Sequence, residues 1–226
     1  MSDIEKIIKE RHSVRNFTDQ RIEGNILNSL REIVEKCNNE SGLNIQLALN
    51  ETKAFGEGHY GNFINCKNYV ALIGDKEDVR LNEKCGYYGE KIVLKAQELG
   101  LNSCWVAMTY KKKEVPFKVK QNEKIVIVIA IGYGVNQGVS HKVKEFEKVS
   151  NTPKDSSPEW YIKGVEYALL APTAINQQKF VFELVGENEV LVKSKIGPCT
   201  KIDLGIIKYH FELGAGKENF KWTNLK

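Results

Sequence analysis

The stretch KIVIVIAIG, residues 124–132, predicts a strand at the centre of a β-sheet. All seven residues from 125 to 131 are apolar, as in a strand that other elements cover on both faces. The run is far shorter than the roughly 20 apolar residues that cross a bilayer. Gly132 and Gly134 follow it and are expected to end the strand.

Apolar patterning on both sides of this segment predicts further strands and helices. Strands are expected at residues 43–49, 69–74, 103–107, 180–185 and 190–193. Helices are expected at residues 3–10, 22–37, 82–99, 158–170 and 202–213, with the hydroxyl of Ser157 capping the fourth. Helices that alternate with buried strands indicate a layered fold of the α+β or α/β class.

Two segments of the sequence resemble each other. Residues 89–100 read GEKIVLKAQELG, and residues 203–214 read DLGIIKYHFELG. Each segment follows a predicted helix, a strand, a loop and a second strand. A polar stretch at residues 150–157 lies between the two regions. We therefore predict two related halves, residues 1–150 and 151–226, that pack as one compact unit.

The composition is that of an ordinary globular protein, with 226 residues of which 42% are hydrophobic and 27% charged. The N-terminus lacks the apolar segment of a signal peptide, so a soluble, cytoplasmic protein is expected. The five cysteines form no C-x-x-C pair, and the four histidines are scattered. We therefore expect reduced thiols and no metal site.

The net charge of +4 is carried by residues 111–124, KKKEVPFKVKQNEK. This segment is either a solvated loop or a basic rim that attracts a phosphorylated cofactor. Phe117 is its single aromatic residue, so the segment does not resemble a nucleic-acid-binding surface.

Two stretches carry candidate ligand-binding residues. In RHSVR, residues 11–15, an extended backbone would direct Arg11, Ser13 and Arg15 to one side, where two guanidinium groups suit a phosphate. The alternative is a pair of exposed arginines beside an N-capping serine. In APTAINQQ, residues 171–178, small and amide residues follow a proline that ends a helix. They could bind a planar heterocycle, or their amides could satisfy the backbone of their own loop.

The order of the motifs resembles that of the nitroreductase family of FMN-dependent oxidoreductases. RHSVR at residues 11–15, ELGLNSCW at residues 98–105 and IGYG at residues 131–134 follow the family order. APTAINQQ resembles the family loop that contacts the flavin ring. Ordinary members carry that loop in the first half, where this sequence reads LNIQLALNET at residues 43–52. The late position of this loop resembles the Thermotoga-type branch of the family. In that branch one duplicated chain supplies both parts of the flavin site that two subunits usually form together.

The resemblance implies an α+β, nitroreductase-like fold with central, mainly antiparallel sheets flanked by helices, and two pseudo-related halves. It assigns no catalytic side chain and no metal ligand, and it suggests that Tyr60 and Gly61 border the substrate side. The implied FMN-binding residues are Arg11, His12, Ser13 and Arg15 at the phosphate, Lys142 and Lys144 as further phosphate candidates, Pro172, Thr173, Ala174 and Asn176 at the ring, and Ser103, Cys104 and Trp105 on the strand beside the ring.

The implied activity is ping-pong hydride transfer from NADH or NADPH through FMN to a nitroaromatic, quinone or flavin acceptor. Two alternatives stay open: an FMN-binding protein without reductase activity (storage, sensing or scaffold), and a member that binds another ligand. The implied partners are small molecules, with no nucleic acid and no membrane, and the protein would be a pseudo-dimeric monomer or a homodimer. The sequence shows no P-loop, Ser-His-Asp set or acid/base pair of carboxylates, so phosphoryl transfer and hydrolysis find no support.

Overall fold

The computed structural model describes residues 3–56, 59–60 and 62–223 of the chain. The helices of this part are α1 (Asp3–Glu10), α2 (Gly24–Ser41), α3 (Leu81–Glu98), α4 (Glu159–Leu170) and α5 (Thr200–Ala215). Its strands are β1 (Gln46–Ala48), β2 (His59–Tyr60), β3 (Phe63–Ile64), β4 (Tyr69–Asp75), β5 (Asn102–Val106), β6 (Glu123–Gly132), β7 (Phe180–Val185), β8 (Glu189–Ser194) and β9 (Lys221–Trp222). None of these helices combines the length and the apolar character needed to cross a membrane.

Strand β6 lies inside a four-stranded antiparallel sheet with the order β1-β4-β6-β5. Ile127, Ile129 and Ile131 face the larger core, which the sheet shares with the helices. Val128 and Ala130 face a second core on the opposite side of the sheet. Because both faces of β6 are covered, polar side chains have no place on either face. The prediction of a central, buried strand is confirmed.

A second sheet has the order β7-β8-β9 and packs on α5. Strands β7 and β8 form the predicted antiparallel hairpin, and β9 adds to β8 in parallel. Phe182 on β7 is buried and stacks on Phe211 of α5, with ring centroids 4.7 Å apart. Antiparallel pairing thus dominates both sheets, and the α+β class is confirmed.

Helices α3 and α5 touch backbone to backbone at Gly86 and Gly205. A Cβ atom on Gly86 would overlap the carbonyl oxygen of Ile202, and one on Gly205 would overlap the carbonyl oxygen of Glu83. Each glycine is the sixth residue of its helix, and each carbonyl lies three residues before the opposite glycine. Two related helices packed about a local twofold axis would show this reciprocity. The division at residue 150 itself stays a prediction.

The repeated sequence segments are out of register with this helix crossing. GEKIVLKAQELG begins at the ninth residue of α3, whereas DLGIIKYHFELG begins at the fourth residue of α5. Helix α5 also continues through Gly214 to Ala215, beyond its predicted end. Gly214 permits close packing on the carbonyl of Lys163 in α4, and Gly216, with φ 73°, ends the helix instead.

Two local predictions are corrected by side-chain hydrogen bonds. The Ser157 hydroxyl does not cap α4, because it donates to the carbonyl of Pro153. Helix α2 continues past its predicted end to Ser41. The Asn38 side chain bonds both the N–H and the C=O of Ile45, which ties the last turn of α2 to the start of β1. Strand β1 is shorter than the strand predicted at residues 43–49. The segment after β1 contains the short β2–β3 hairpin.

Candidate functional site

The RHSVR segment runs along the open edge of the four-stranded sheet. Ser13 forms a parallel bridge with Ser103 of β5, and the N–H of Val14 donates to the Ser103 carbonyl at 3.0 Å. The side chain of Val14 is buried, whereas the side chains of Ser13 and Arg15 face a crevice. This alternation follows from an extended backbone, in which successive side chains point to opposite sides.

The crevice has two connected arms between the RHSVR segment, β5, residues 172–176 and the first turns of α5. The basic arm encloses about 700 Å³ and the apolar arm about 530 Å³. The two arms share part of their lining, namely Ser13, Arg15, Pro172, Thr173 and Ile175. The two arms are therefore adjacent, and together they join segments from both predicted halves of the chain.

The basic arm contains a buried arginine with an unsatisfied donor. Arg11 is 3% exposed, and its Nε has no hydrogen-bond partner among the described residues. Burial lowers the pKa of Arg11, and the charge of nearby Glu90 opposes this effect. An unpaired donor on a buried cation is costly. The charge of the guanidinium would attract an anion into the arm.

Two histidines also line the basic arm. Burial lowers the pKa of His12, and the neighbouring Arg11 and His141 lower it further, so His12 is predominantly neutral at neutral pH. His141 Nε2 lies 3.0 Å from the carbonyl oxygen of Leu169 and donates to it. The described lining of this arm includes no acidic side chain. The arm therefore suits an anionic group such as a phosphate.

The apolar arm suits a flat, uncharged group. Burial raises the pKa of Cys104 and of Cys199, so both thiols are protonated at neutral pH. Sites for planar cofactors are typically lined by apolar side chains and a few polar groups. Apart from Asp203, the remaining lining of this arm is apolar and comprises Trp105, Ala107, Ile127, Ala174, Ile202 and Ile206.

A buried network holds Trp105 against the crevice. Trp105 Nε1 donates to Glu90 Oε2 at 2.9 Å, and His210 Nε2 lies 2.9 Å from Glu90 Oε1. His210 Nδ1 donates to the carbonyl of Tyr167 at 3.2 Å, because a carbonyl can only accept. His210 and Glu90 are both 0% exposed, so the contact between them is fully buried. The network links β5, α3, α4 and α5 beneath the site.

The loop after α4 has a strained backbone. Ile175, Asn176 and Gln178 have φ values of 49°, 54° and 44°, in the left-handed region that a β-branched residue such as isoleucine strongly disfavours. The Ile175 side chain is 87% exposed where the two arms meet. Strain of this kind persists only when the surroundings hold it, and it is concentrated at functional sites.

Hydrogen bonds from neighbouring residues hold this loop. The Lys144 ammonium donates to the carbonyls of Gln177 and Gln178 at 2.8 Å each. The amides of Asn176 and Gln178 donate to the carbonyl of Lys142. These amides thus bond the backbone of a neighbouring segment, not that of their own loop, which was one of the two interpretations of the sequence. Neither lysine lines the crevice, so the structure does not bring Lys142 and Lys144 to the basic arm.

Asp203, in the first turn of α5, anchors the same loop from inside the apolar arm. Its carboxylate is 6% exposed and accepts the Ala174 N–H at 3.0 Å and Gln177 Nε2 at 2.7 Å. Burial raises the pKa of Asp203 to about 6, although both hydrogen bonds lower it. At neutral pH the apolar arm therefore contains a buried negative charge. An acidic residue in the first turn of a helix is ordinary, so nothing in the sequence marks Asp203 as unusual.

Asp203 is expected to lower the free energy of unfolding as the pH rises from about 4 to about 7. Its ordinary pKa is 3.8 and its folded pKa is about 6, so the folded protein favours the protonated form. The contribution of Asp203 to the free energy of unfolding is complete below pH 3.8 and is lost as the pH rises through about 6. The total loss is about 3 kcal/mol.

Urea unfolding across this pH range checks the expectation. Asp203→Asn cannot ionise, so the wild-type value minus the variant value should fall by about 3 kcal/mol between the two ends of the range. A difference that is the same at every pH would show that Asp203 ionises normally in the folded protein.

Most of the residues predicted from sequence come together at the crevice. Ser103 contributes its backbone to the RHSVR segment, whereas Ile175 and Asp203 were not predicted. Gly61 and the side chain of Tyr60 lie outside the described residues, and the described part contains no cluster of three potential metal ligands. The predicted residues that line the crevice are Arg11, His12, Ser13, Arg15, Cys104, Trp105, Pro172, Thr173, Ala174 and Asn176.

Solved structures share this fold. A "putative nitroreductase" of Thermotoga maritima has a TM-score of 0.69 and 21% identity, covering 94% of this chain and 83% of its own. A nitroreductase family protein of Clostridium difficile has a TM-score of 0.52 and 19% identity, covering 68% of this chain and 99% of its own. A "Putative NADH dehydrogenase/NAD(P)H nitroreductase" of Parabacteroides distasonis has a TM-score of 0.52 and 16% identity, with 66% and 97% covered. The fold is therefore that of the nitroreductases.

The sequence itself identifies the family. It matches the family model "Putative TM nitroreductase" over residues 3–215. The chain therefore belongs to this nitroreductase family, which confirms the resemblance seen in the motifs. No curated protein sequence matches the chain.

Proposed function

We propose that the protein is an FMN-dependent oxidoreductase that passes electrons from NADH or NADPH to a nitroaromatic, quinone or flavin acceptor. The observation that carries the proposal is the buried guanidinium of Arg11 in an arm whose described lining has no acidic side chain, beside a second arm that is mainly apolar. Such a crevice fits a ligand with an anionic group at one end and a planar ring at the other. Membership of a nitroreductase family supports redox chemistry at this site.

The phosphate end of FMN would be held by Arg11, Arg15, His12 and the hydroxyl of Ser13. Arg11 is already desolvated, so its pairing with an anion does not add the cost of burying the guanidinium. The neutral His12 would gain a proton more readily beside a phosphate, because an adjacent anion favours the charged form. The basic arm therefore selects the phosphorylated flavin over riboflavin.

The ring would lie in the apolar arm, between Trp105 and residues 172–174. The Glu90 hydrogen bond fixes the Trp105 indole, and the bond from Ala174 to Asp203 fixes the facing loop. These contacts orient the ring and keep bulk water from one of its faces. When bound, FMN supplies the group that accepts and donates a hydride.

We further propose that one chain forms a complete site. The RHSVR segment and the 171–178 loop both line the same crevice of a single chain. In this arrangement no residue from a second subunit is required for the phosphate or the ring.

The first test is the visible absorption spectrum of the purified protein, with identification of any flavin released by heat. We expect the bands of an oxidised flavin, one FMN per chain, and bleaching under anaerobic NADH or NADPH followed by recovery when a quinone is added. FMN without bleaching by either nucleotide would leave a flavin-binding protein without reductase activity. A colourless protein that takes up no added FMN would refute the proposal.

A further inference from the structure

Charge is unevenly distributed along the crevice. Two ionised side chains line the described part of the apolar arm, Arg15 and Asp203. Arg15 is exposed and also lines the basic arm, where a phosphate would engage it. Asp203 lines the apolar arm alone. The arm that would receive a planar ring thus contains a negative charge of its own.

We propose that Asp203 tunes the redox equilibrium of the bound flavin, because its carboxylate lines the arm that would hold the ring and would disfavour the anionic reduced form. The bound flavin is consequently a stronger reductant than it would be in a neutral arm. This inference rests on the proposed function, in which the ring of FMN occupies the apolar arm.

The surroundings of Asp203 preserve its charge. With a pKa raised to about 6, the carboxyl is still mostly ionised at neutral pH. Its two hydrogen-bond donors, the Ala174 N–H and the Gln177 amide, are uncharged. The neighbouring thiols of Cys104 and Cys199 are protonated. No cation is hydrogen-bonded to the carboxylate in the described part of the chain, so its field acts on the arm with little compensation.

The negative charge of Asp203 affects the stability of one of the two reduced forms of FMN. Two electrons and one proton convert FMN into the anionic reduced form, whereas two electrons and two protons give the neutral reduced form. A carboxylate beside the ring raises the free energy of the anion relative to oxidised FMN and leaves the neutral form almost unaffected. Asp203 therefore makes reduction to the anion less favourable.

The test measures the reduction equilibrium of bound FMN, with dithionite as the reductant and a reference dye of known potential. Wild type and Asp203→Asn are compared anaerobically at about pH 8, where a carboxyl with a pKa of about 6 is ionised. We expect the variant to favour the reduced form by about tenfold, which is about 30 mV for a two-electron couple. Asp203→Ser, which keeps a hydroxyl acceptor near Ala174, serves as a second neutral variant.

Gln177→Ala is the matched control, because it removes one hydrogen bond to Asp203 and keeps the negative charge. Its equilibrium should stay within about twofold of the wild type, about 10 mV by the same conversion. An unchanged or lowered potential in both neutral variants would overturn the inference, and so would an equal rise in Gln177→Ala. A wild-type protein that binds no FMN would instead refute the proposed function, and the inference with it.

Discussion

Replacement of Arg11 with alanine is expected to weaken FMN binding at least about 100-fold. Arg11 is buried at the end of the basic arm with its Nε unpaired, and it would donate charge-assisted hydrogen bonds to the phosphate. Each hydrogen bond to a charged group contributes about 1.5–3 kcal/mol. The loss of two such bonds corresponds to at least about a 100-fold change in affinity.

Titration with FMN and with riboflavin separates this effect from a general disturbance. Riboflavin has no phosphate, so its affinity should change much less than that of FMN. Arg15 is exposed, and Arg15→Ala should lower FMN affinity about tenfold without a cavity in the core. Arg31→Ala, on the exposed face of α2, is the matched control and should change neither affinity. Equal losses for FMN and riboflavin in Arg11→Ala would contradict the phosphate assignment.

Replacement of Gly205 with alanine is expected to lower the free energy of unfolding by at least about 3 kcal/mol. The new methyl group would overlap the backbone carbonyl of Glu83 and crowd the backbone nitrogen of Tyr87 on α3. A backbone atom cannot turn away as a side chain can, so the helices must separate. Separation would loosen the packing of α3 against α5, which carry Glu90 and His210 of the network under Trp105.

Urea unfolding of three variants checks this expectation. Gly86→Ala should be as destabilising as Gly205→Ala, because its methyl group would meet the carbonyl of Ile202 in the reciprocal position. Gly164→Ala on α4 is the control. Its methyl group would meet the ring of Phe211, a side chain and not a backbone atom, so its cost should be smaller. Equal costs at Gly164 and Gly205 would show that the helix crossing is not unusually tight.

Local patterns in the sequence were sufficient for most of the secondary structure and for the family. The apolar run of β6, the hairpin of β7 and β8 and the long helix α3 follow from periodicity, because a buried element repeats its apolar positions at a fixed spacing. The motif order identified the nitroreductase family, which the family model confirms. It also selected most of the residues that line the crevice. The α+β class was already determined at this level.

The tertiary structure decided which of these residues share a site. Arg11 looks in sequence like any surface arginine, and its burial with an unpaired Nε is visible only in the folded chain. Lys142 and Lys144 look like phosphate ligands in sequence, but the strained 171–178 loop uses them for its own support. The repeated segments likewise suggested a helix register that the crossing at Gly86 and Gly205 does not follow.

Asp203 shows the difference most clearly. In the sequence it is an acid at the start of a helix, whereas in the fold it is a buried charge with a raised pKa, inside the arm that would receive a ring. Burial, desolvation and backbone strain depend on residues far apart in the chain. Periodicity carries no information about them, and they are fixed only when α5 and the 171–178 loop pack against β5 and the RHSVR segment.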